Sequence, residues 1–279
     1  VPGAYDVEIV SPTGAAGTDE RLYEASATRV DRIALTVDGV RMDPSGEIAP
    51  ALLAEALASY AGHFGTVRRE TLVFDFPEKR VEAELSPIRR DVMAVVDFSL
   101  PATQPRLFVL DLGDGSVSAF RVAHGRNSDA AGDIALSGRL AATGGAVRAS
   151  NLLDSNESAV GAYVAANIYD DGRWPGSLRL HGLDATNSCV FWRAIVMHEA
   201  AYMTPDPATG AVGTSDGCLS VEMAARPVVT GLLAEGGFLY AGPRALHVPS
   251  AADGKRDQSA CEAVRLKPEL GPQAAPPGA

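Results

Sequence analysis

Residues 107–122 read LFVLDLGDGSVSAFRV. Two β-prone runs flank Gly113-Asp114-Gly115, and the two glycines supply the backbone freedom a tight turn needs. The stretch predicts a β-hairpin, and its surroundings repeat the signal. DVMAVVDF (91–98), GAYVAANIY (161–169), SLRLHGL (177–183), AIVMHEA (194–200) and FLYAG (238–242) are short apolar or alternating runs of strand length. MAARPVVTGLLAEGG (223–237) has a helical pattern that ends at Gly236 and Gly237. Residues 91–243 are therefore expected to be mostly β with one late helix.

The region before residue 91 has a different period. In TDERLYEASATRVDRIALTV (18–37), Leu22, Val30, Ile33 and Val37 recur mostly at steps of three or four, with Thr18 as an N-cap. After the turn MDPSGE, the run IAPALLAEALASYAGHF (48–64) puts Leu53, Leu57, Tyr60 and Phe64 on one face. These predict two amphipathic helices. The fold class expected is α+β: a flexible lead-in (1–19), a helical N-terminal region (20–88), a mostly β domain (91–243), and a mobile, proline-rich tail (247–279).

The totals exclude some functions. A net charge of −11 leaves no basic stripe to displace counterions from nucleic-acid phosphates. No apolar run reaches the length of a membrane span; the longest candidate, APALLAEALASYA, is interrupted by Glu55. Gly113-Asp114-Gly115 is too short for a dinucleotide cradle. The start VPGAYD, without Met, is expected to reflect a processed, exported chain. The three cysteines are Cys189, Cys218 and Cys261. In an oxidising compartment, pairing Cys189 with Cys261 would leave Cys218 as a thiol, but sequence leaves that connectivity open.

Cys218 lies in TSDGCLSV (214–221), and His198 lies in the strand-like run AIVMHEA. A strand can present an imidazole to a loop that returns over it. An adjacent imidazole stabilises a thiolate, the species that attacks an acyl carbon. Backbone N–H groups of Gly217 and Cys218 could hold the oxyanion. On spacing alone, a structural cysteine and a core histidine remain the commoner reading. His181 in RLHGL is the rival base or a wall of the site. Arg179, two residues earlier on the same face of its strand, could grip a carboxylate. His124, with Arg126, Asn127 and Ser128, could line a groove. Trp174 could stack on sugar rings, though such residues are more often core or rim. His198-Glu199-Ala200-Ala201-Tyr202 falls one histidine short of a zinc-protease motif, so no metal is expected.

Ser215-Asp216-Gly217-Cys218 resembles the S-x-G-C signature of L,D-transpeptidases. The likeness extends through VVDFSLPATQPRLFVLDL, VAHGRNSD, SLRLHGL, IVMHEAAYM, SDGCLSV and GGFLY, in that order over residues 91–241. These landmarks are similar to the murein L,D-transpeptidase catalytic domain family. The resemblance implies Cys218 as nucleophile and His198 as base and acid, with a backbone carbonyl orienting the imidazole. It implies no cofactor, a periplasmic or cell-envelope setting, and peptidoglycan stem peptides as donor and acceptor. Ser215 would shape the loop; Asp216, His181, Arg179, His124 and Trp174 would join it around the substrate. The chain is expected to act as a monomer.

Three residues depart from the pattern. Glu199 stands where glycine commonly follows the histidine, and Asp216 stands where His or Trp precedes the glycine of the signature. Ser220 takes the position two after the cysteine, where the wider superfamily often has arginine. An anion at position 216 opposes a thiolate unless it points away or pairs with an imidazolium. The crosslink would be of the 3,3-type or the 1,3-type. Alternatives are an L,D-carboxypeptidase, with water as acceptor, and a catalytically weak peptidoglycan-binding module.

Overall fold

Along β6 (Val92–Asp97) every residue is buried, and neighbours alternate between two separate cores. Met93 and Val95 enter one core; Val92, Ala94 and Val96 enter the other. That period of two runs through the sheet and determines where the functional side chains can stand. The computed structural model describes residues 9–10, 34–75, 80–129, 144–170 and 174–248.

Before β6 come β1 (Ile9–Val10), β2 (Ala34–Val37), β3 (Val40–Arg41), α1 (Pro50–His63), β4 (Glu70–Asp75) and β5 (Arg80–Leu85). After it come β7 (Leu107–Asp111), β8 (Val117–Phe120), β9 (Gly161–Tyr169), β10 (Ser177–Gly182), β11 (Val196–Glu199), β12 (Leu219–Val221), α2 (Arg226–Leu233) and β13 (Phe238–Gly242). The main sheet has eight strands in the order β12-β11-β10-β9-β13-β6-β7-β8. The pairs β11·β12 and β13·β6 are parallel, and the other pairs are antiparallel. Beyond β8 the chain returns to β12: Val122 bridges Val221, and the Ala123 N–H donates to the Ser220 carbonyl at 2.8 Å. The sheet thus nearly closes on itself.

The inner face holds one core, which includes Val96, Leu107, Leu180, Met197, Leu219 and Leu239. Val229 and Leu233 of α2 join it. On the outer face, β6, β13 and β9 are covered by α1 and the N-terminal strands. Pro50 starts α1, where its missing N–H costs no hydrogen bond. Leu53, Leu57 and Tyr60 then reach the sheet; burying each stabilises by roughly 1.5–3 kcal/mol. The Tyr60 ring meets Phe238 edge-on at 5.4 Å, and its hydroxyl donates to the Arg89 carbonyl at 2.9 Å. The remaining outer face, over β10, β11 and β12, carries polar side chains at positions 179, 181, 198 and 220. Among the described residues no helix is long and apolar enough to cross a membrane.

The hairpin at 107–122, the five other expected strands, the helix at 48–64 and the late helix are all present. The remainder of the N-terminal expectation needs correction. Residues 34–37, the end of the expected first helix, are strand β2, paired with β1 and β3. Residues 18–33, the rest of that helix, lie outside the described residues, as do 249–279, most of the expected tail. The reason for the strand is local. Leu35 and Val37 are buried on either side of Thr36, and Asp38-Gly39 turns the chain with φ of 49° and 81°. Positive φ at both central residues of a two-residue loop is the type I′ hairpin geometry. Strands β4 and β5 also form a hairpin inside the segment expected to be helical. Val81-Glu82-Ala83-Glu84-Leu85 alternates with period two, and Ala83 and Leu85 are buried. Within the expected lead-in, β1 is a strand.

Candidate active site

Strands β11 and β12 run parallel with His198 beside Ser220. Met197, Leu219 and Val221 point into the inner core, so alternation turns His198 and Ser220 outward. Cys218 immediately precedes β12, two residues before Ser220. The loop bearing Cys218 is fastened to the segment after β8. The Ser215 N–H donates to the His124 carbonyl at 2.9 Å, and the Arg126 N–H donates to the Ser215 carbonyl at 2.8 Å.

His198 is 4% exposed. Its Nδ1 lies 2.7 Å from the Glu199 carbonyl oxygen, and its Nε2 lies 2.9 Å from Ser220 Oγ. A carbonyl only accepts, so Nδ1 carries hydrogen and Nε2 is the basic nitrogen of the neutral ring. Ser220 Oγ in turn lies 2.6 Å from the Tyr202 hydroxyl. Tyr202 follows β11 in a 3-10 turn, Ala201–Met203. Burial pushes the Tyr202 phenol well above its ordinary range, and negative charge at Cys218 and Asp216 adds to the rise, so it stays a neutral donor and acceptor. Two hydroxyls that rotate can offer Nε2 either a hydrogen or a lone pair. Trp174 covers one face of the imidazole, with ring centroids 4.4 Å apart and planes inclined by 34°.

Cys218 is half-buried and outside any disulfide, whereas Cys189 is disulfide-bonded. Cys261 lies outside the described residues. The Cys218 S–H donates to the Ala194 carbonyl at 3.7 Å. Gly217 has φ of 115°, which L side chains rarely adopt. A Cβ there would lie 2.8 Å from the Glu157 carbonyl oxygen and 3.2 Å from an Arg193 nitrogen. The Gly217 N–H donates to Ser215 Oγ at 3.1 Å, and that hydroxyl donates to the Cys218 carbonyl at 2.7 Å. The Ser215 hydroxyl thus ties residues 217 and 218 of the loop together. The Gly217 N–H, expected to face an oxyanion, is committed within the loop.

Charge around the thiol is arranged by two arginines. Asp216 has 69% of its side chain exposed and pairs with Arg126 at 3.3 Å. Arg193, from the loop between β10 and β11, donates to the Ser150 carbonyl at 2.6 Å, to Ser155 Oγ at 3.0 Å and to the Glu157 carbonyl. Burial pulls its guanidinium below the ordinary value, while negative charges nearby, Cys218 among them, oppose that. A cation behind Gly217 stabilises a thiolate at Cys218 in its turn.

The other expected site residues divide. His181 and Arg179 share the outer face with His198. The Arg179 guanidinium lies 3.7 Å from the centre of the Tyr169 ring, a cation–π contact. His124 does not line a groove: it is fully buried, with Nδ1 accepting from Arg106 at 2.9 Å. Burial, and next the Arg106 cation, pull its imidazole down to about 3, so it is neutral. Its contribution to the site is its backbone carbonyl. Glu199, in the place of the usual glycine, pairs with Arg226 of α2 at 2.6 Å.

Tyr202, Arg193 and Arg226 escaped the sequence reading. Arg193 is five residues before His198 and carries no periodic signal of its own. Ser220 stood out only as a missing arginine, and its hydroxyl contact with Nε2 depends on strand register.

A family model described as the L,D-transpeptidase catalytic domain matches residues 78–241. Among solved structures, the chain is similar to an L,D-transpeptidase from Mycobacterium smegmatis, with 11% identity and a TM-score of 0.31, over 63% of this chain and 69% of that one. It is also similar to L,D-transpeptidase 3 from Mycobacterium tuberculosis, with 14% identity and a TM-score of 0.29, over 75% of this chain and 90% of that one. Comparison with curated protein sequences gives no match. The family match spans more than half of the sequence, and the chain belongs to the L,D-transpeptidase catalytic domain family.

Proposed function

We propose that this protein is a peptidoglycan L,D-transpeptidase that works through a cysteine acyl-enzyme, with Cys218 as nucleophile and His198 as base and acid. The observation that carries the reading is the orientation of His198. Its Nδ1 is fixed on the Glu199 carbonyl, which leaves Nε2 as the basic nitrogen on the face where Cys218 precedes β12.

The cycle follows from those groups. Nε2 takes the thiol proton, and the thiolate attacks the carbonyl carbon on the L-centre side of an L,D peptide bond in the donor stem. The tetrahedral oxyanion is met by the Cys218 N–H. The C–N bond breaks, and the leaving amine takes the proton from the imidazolium. A thioester remains on Cys218. The amine of an acceptor stem attacks it and gives its proton to Nε2. The C–S bond then breaks and the thiolate returns. Arg193 favours the ionised sulfur throughout, and Arg126 offsets the charge of Asp216. Arg179 and His181, on the same outer face, are assigned to the wall that meets the stem.

A cell-envelope location accords with the disulfide at Cys189, since such bonds persist in oxidising compartments. The test is mass spectrometry of muropeptides made by wild type and by Cys218→Ala, with intact-mass analysis of the protein. An adduct on Cys218 with new 3,3- or 1,3-linked dimers supports the reading, and the dimer masses and fragments distinguish the linkage. Trimmed stems without dimers would make the enzyme a carboxypeptidase. Binding without an adduct would make it a binding module.

A further inference from the structure

We propose that Trp174 is a positioning residue for His198: its indole face holds the imidazole in place and favours the imidazolium that accompanies the Cys218 thiolate. This rests on the Cys218–His198 reading above and extends it to a residue that the reading does not require. Both ring nitrogens of His198 are fixed at their edges by the Glu199 carbonyl and Ser220. What remains to be held is the face of the ring, and Trp174 covers one side at 4.4 Å. The negative face of an indole attracts a cation, so the stack is stronger for the protonated ring than for the neutral one.

The turn that carries Trp174 is braced from two directions. Ser177 Oγ donates to the Trp174 carbonyl at 2.6 Å. Ser177 is fully buried, and by continuation of the register Leu178↔Met197 it lies across from His198. Gly176 has φ of 68°, and a Cβ there would lie 2.2 Å from an Arg226 nitrogen. That arginine is held by Glu199 at 2.6 Å. Glu199, which replaces the usual glycine after the base, therefore fixes the surface against which the Trp174 turn rests. The pair is also surrounded by charge from several elements: Tyr202 through Ser220, the Glu199–Arg226 pair, Arg193 behind Gly217, and Asp216 with Arg126. His181 and Arg179 of β10 share the face. Substituting Trp174 leaves all of these in place.

The experiment measures the rate at which iodoacetamide alkylates Cys218 as a function of pH, in wild type, Trp174→Leu and Trp174→Phe. Trp174→Leu keeps bulk without an aromatic face. It should lower the rate at neutral pH by about tenfold and move the profile to higher pH, and Trp174→Phe should retain most of the rate. A second readout uses Trp174 emission in a Trp192→Phe background. Acidification should quench it as the His198 ring takes up its proton, in a step at higher pH than the midpoint of the alkylation profile, and His198→Gln should abolish that titration. An unchanged rate and profile in Trp174→Leu, or a titration that survives His198→Gln, overturns the proposal. A wild-type thiol that reacts no faster than an ordinary cysteine would instead sink the underlying Cys218–His198 reading.

Discussion

Gly217→Ala tests whether the loop before Cys218 is as tightly specified as its geometry indicates. The residue sits at φ of 115°, outside the region alanine adopts readily. A Cβ would meet the Glu157 carbonyl oxygen at 2.8 Å, Arg193 at 3.2 Å and Ile195 Cδ1 at 3.3 Å. The first is backbone, and the second is a guanidinium anchored to Ser150, Ser155 and Glu157, so neither yields easily. Backbone strain of this kind costs about 1–3 kcal/mol. In a chain of this size that lowers the melting temperature by roughly 2–12 °C. If the loop relaxes by shifting Cys218, a displacement of up to about 1 Å costs up to about 100-fold in reaction rate. Differential scanning fluorimetry reads the first effect, and the rate of Cys218 acylation by a carbapenem, followed by intact mass, reads the second. A variant that melts within about 1 °C of wild type and acylates within about twofold would refute the argument.

Three further outcomes are expected. Arg193→Gln should slow alkylation of Cys218 several-fold at neutral pH and lower the melting temperature, because it removes a cation and frees two carbonyls; Arg193→Lys should recover part of the reactivity but little of the stability, since an ammonium lacks the fork. Asp184 accepts from His63 at 3.0 Å, Arg244 at 2.8 Å and the Ala162 N–H at 2.9 Å, and although burial alone would raise its carboxyl, these partners hold it below the ordinary range. A depressed folded value means the contribution is complete above the unfolded value and is lost as pH falls through the folded one, so stability should decline as a urea series is taken from about pH 5 to pH 3, and less steeply in Asp184→Asn. Leu57→Ala, on the fully buried face of α1, should destabilise by about 2–5 kcal/mol in chemical denaturation; a loss under about 1 kcal/mol would mean that α1 is not part of the cooperative core.

The β domain was legible because its signals are local. Runs such as VMAVVD and LFVLD carry their own period, and the glycines of Gly113-Asp114-Gly115 mark the turn between strands. The N-terminal region misled for the same reason. Apolar residues at Ile33 and Val37 fit a helical step, yet Leu35 and Val37 also fit a strand, and Asp38-Gly39 is a hairpin turn that decides between them. In the site, Cys218 and His198 stand out by residue type and family landmarks. Their partners do not. Ser220 reaches Nε2 because of the parallel register of β11 and β12, Arg193 reaches the loop from another segment, and His124 is drawn inward by Arg106. These are facts of tertiary contact, and no spacing rule encodes them.

The three departures from the family pattern become intelligible through those contacts. Each new side chain has a local partner. Asp216 would oppose a thiolate, but it is well exposed and pairs with Arg126 from the segment that also anchors Ser215. Glu199 introduces a carboxylate at the residue after His198, and Arg226 takes it up at 2.6 Å while lying against the turn at Gly176. Ser220 stands in place of a cation two residues beyond Cys218, but Arg193 brings one to the loop at Gly217, and the serine hydroxyl becomes a partner for Nε2. The Glu199 carboxylate, half-buried and held by Arg226, lies on the α2 side of β11, turned from the imidazole by strand alternation. Pairing it away leaves the ring to be governed by a carbonyl, a hydroxyl and an indole face, all of them neutral. Asp216, Glu199 and the loop bearing Cys218 thus each meet a cation from another segment of the chain, and residue-by-residue matching to the motif cannot see these contacts.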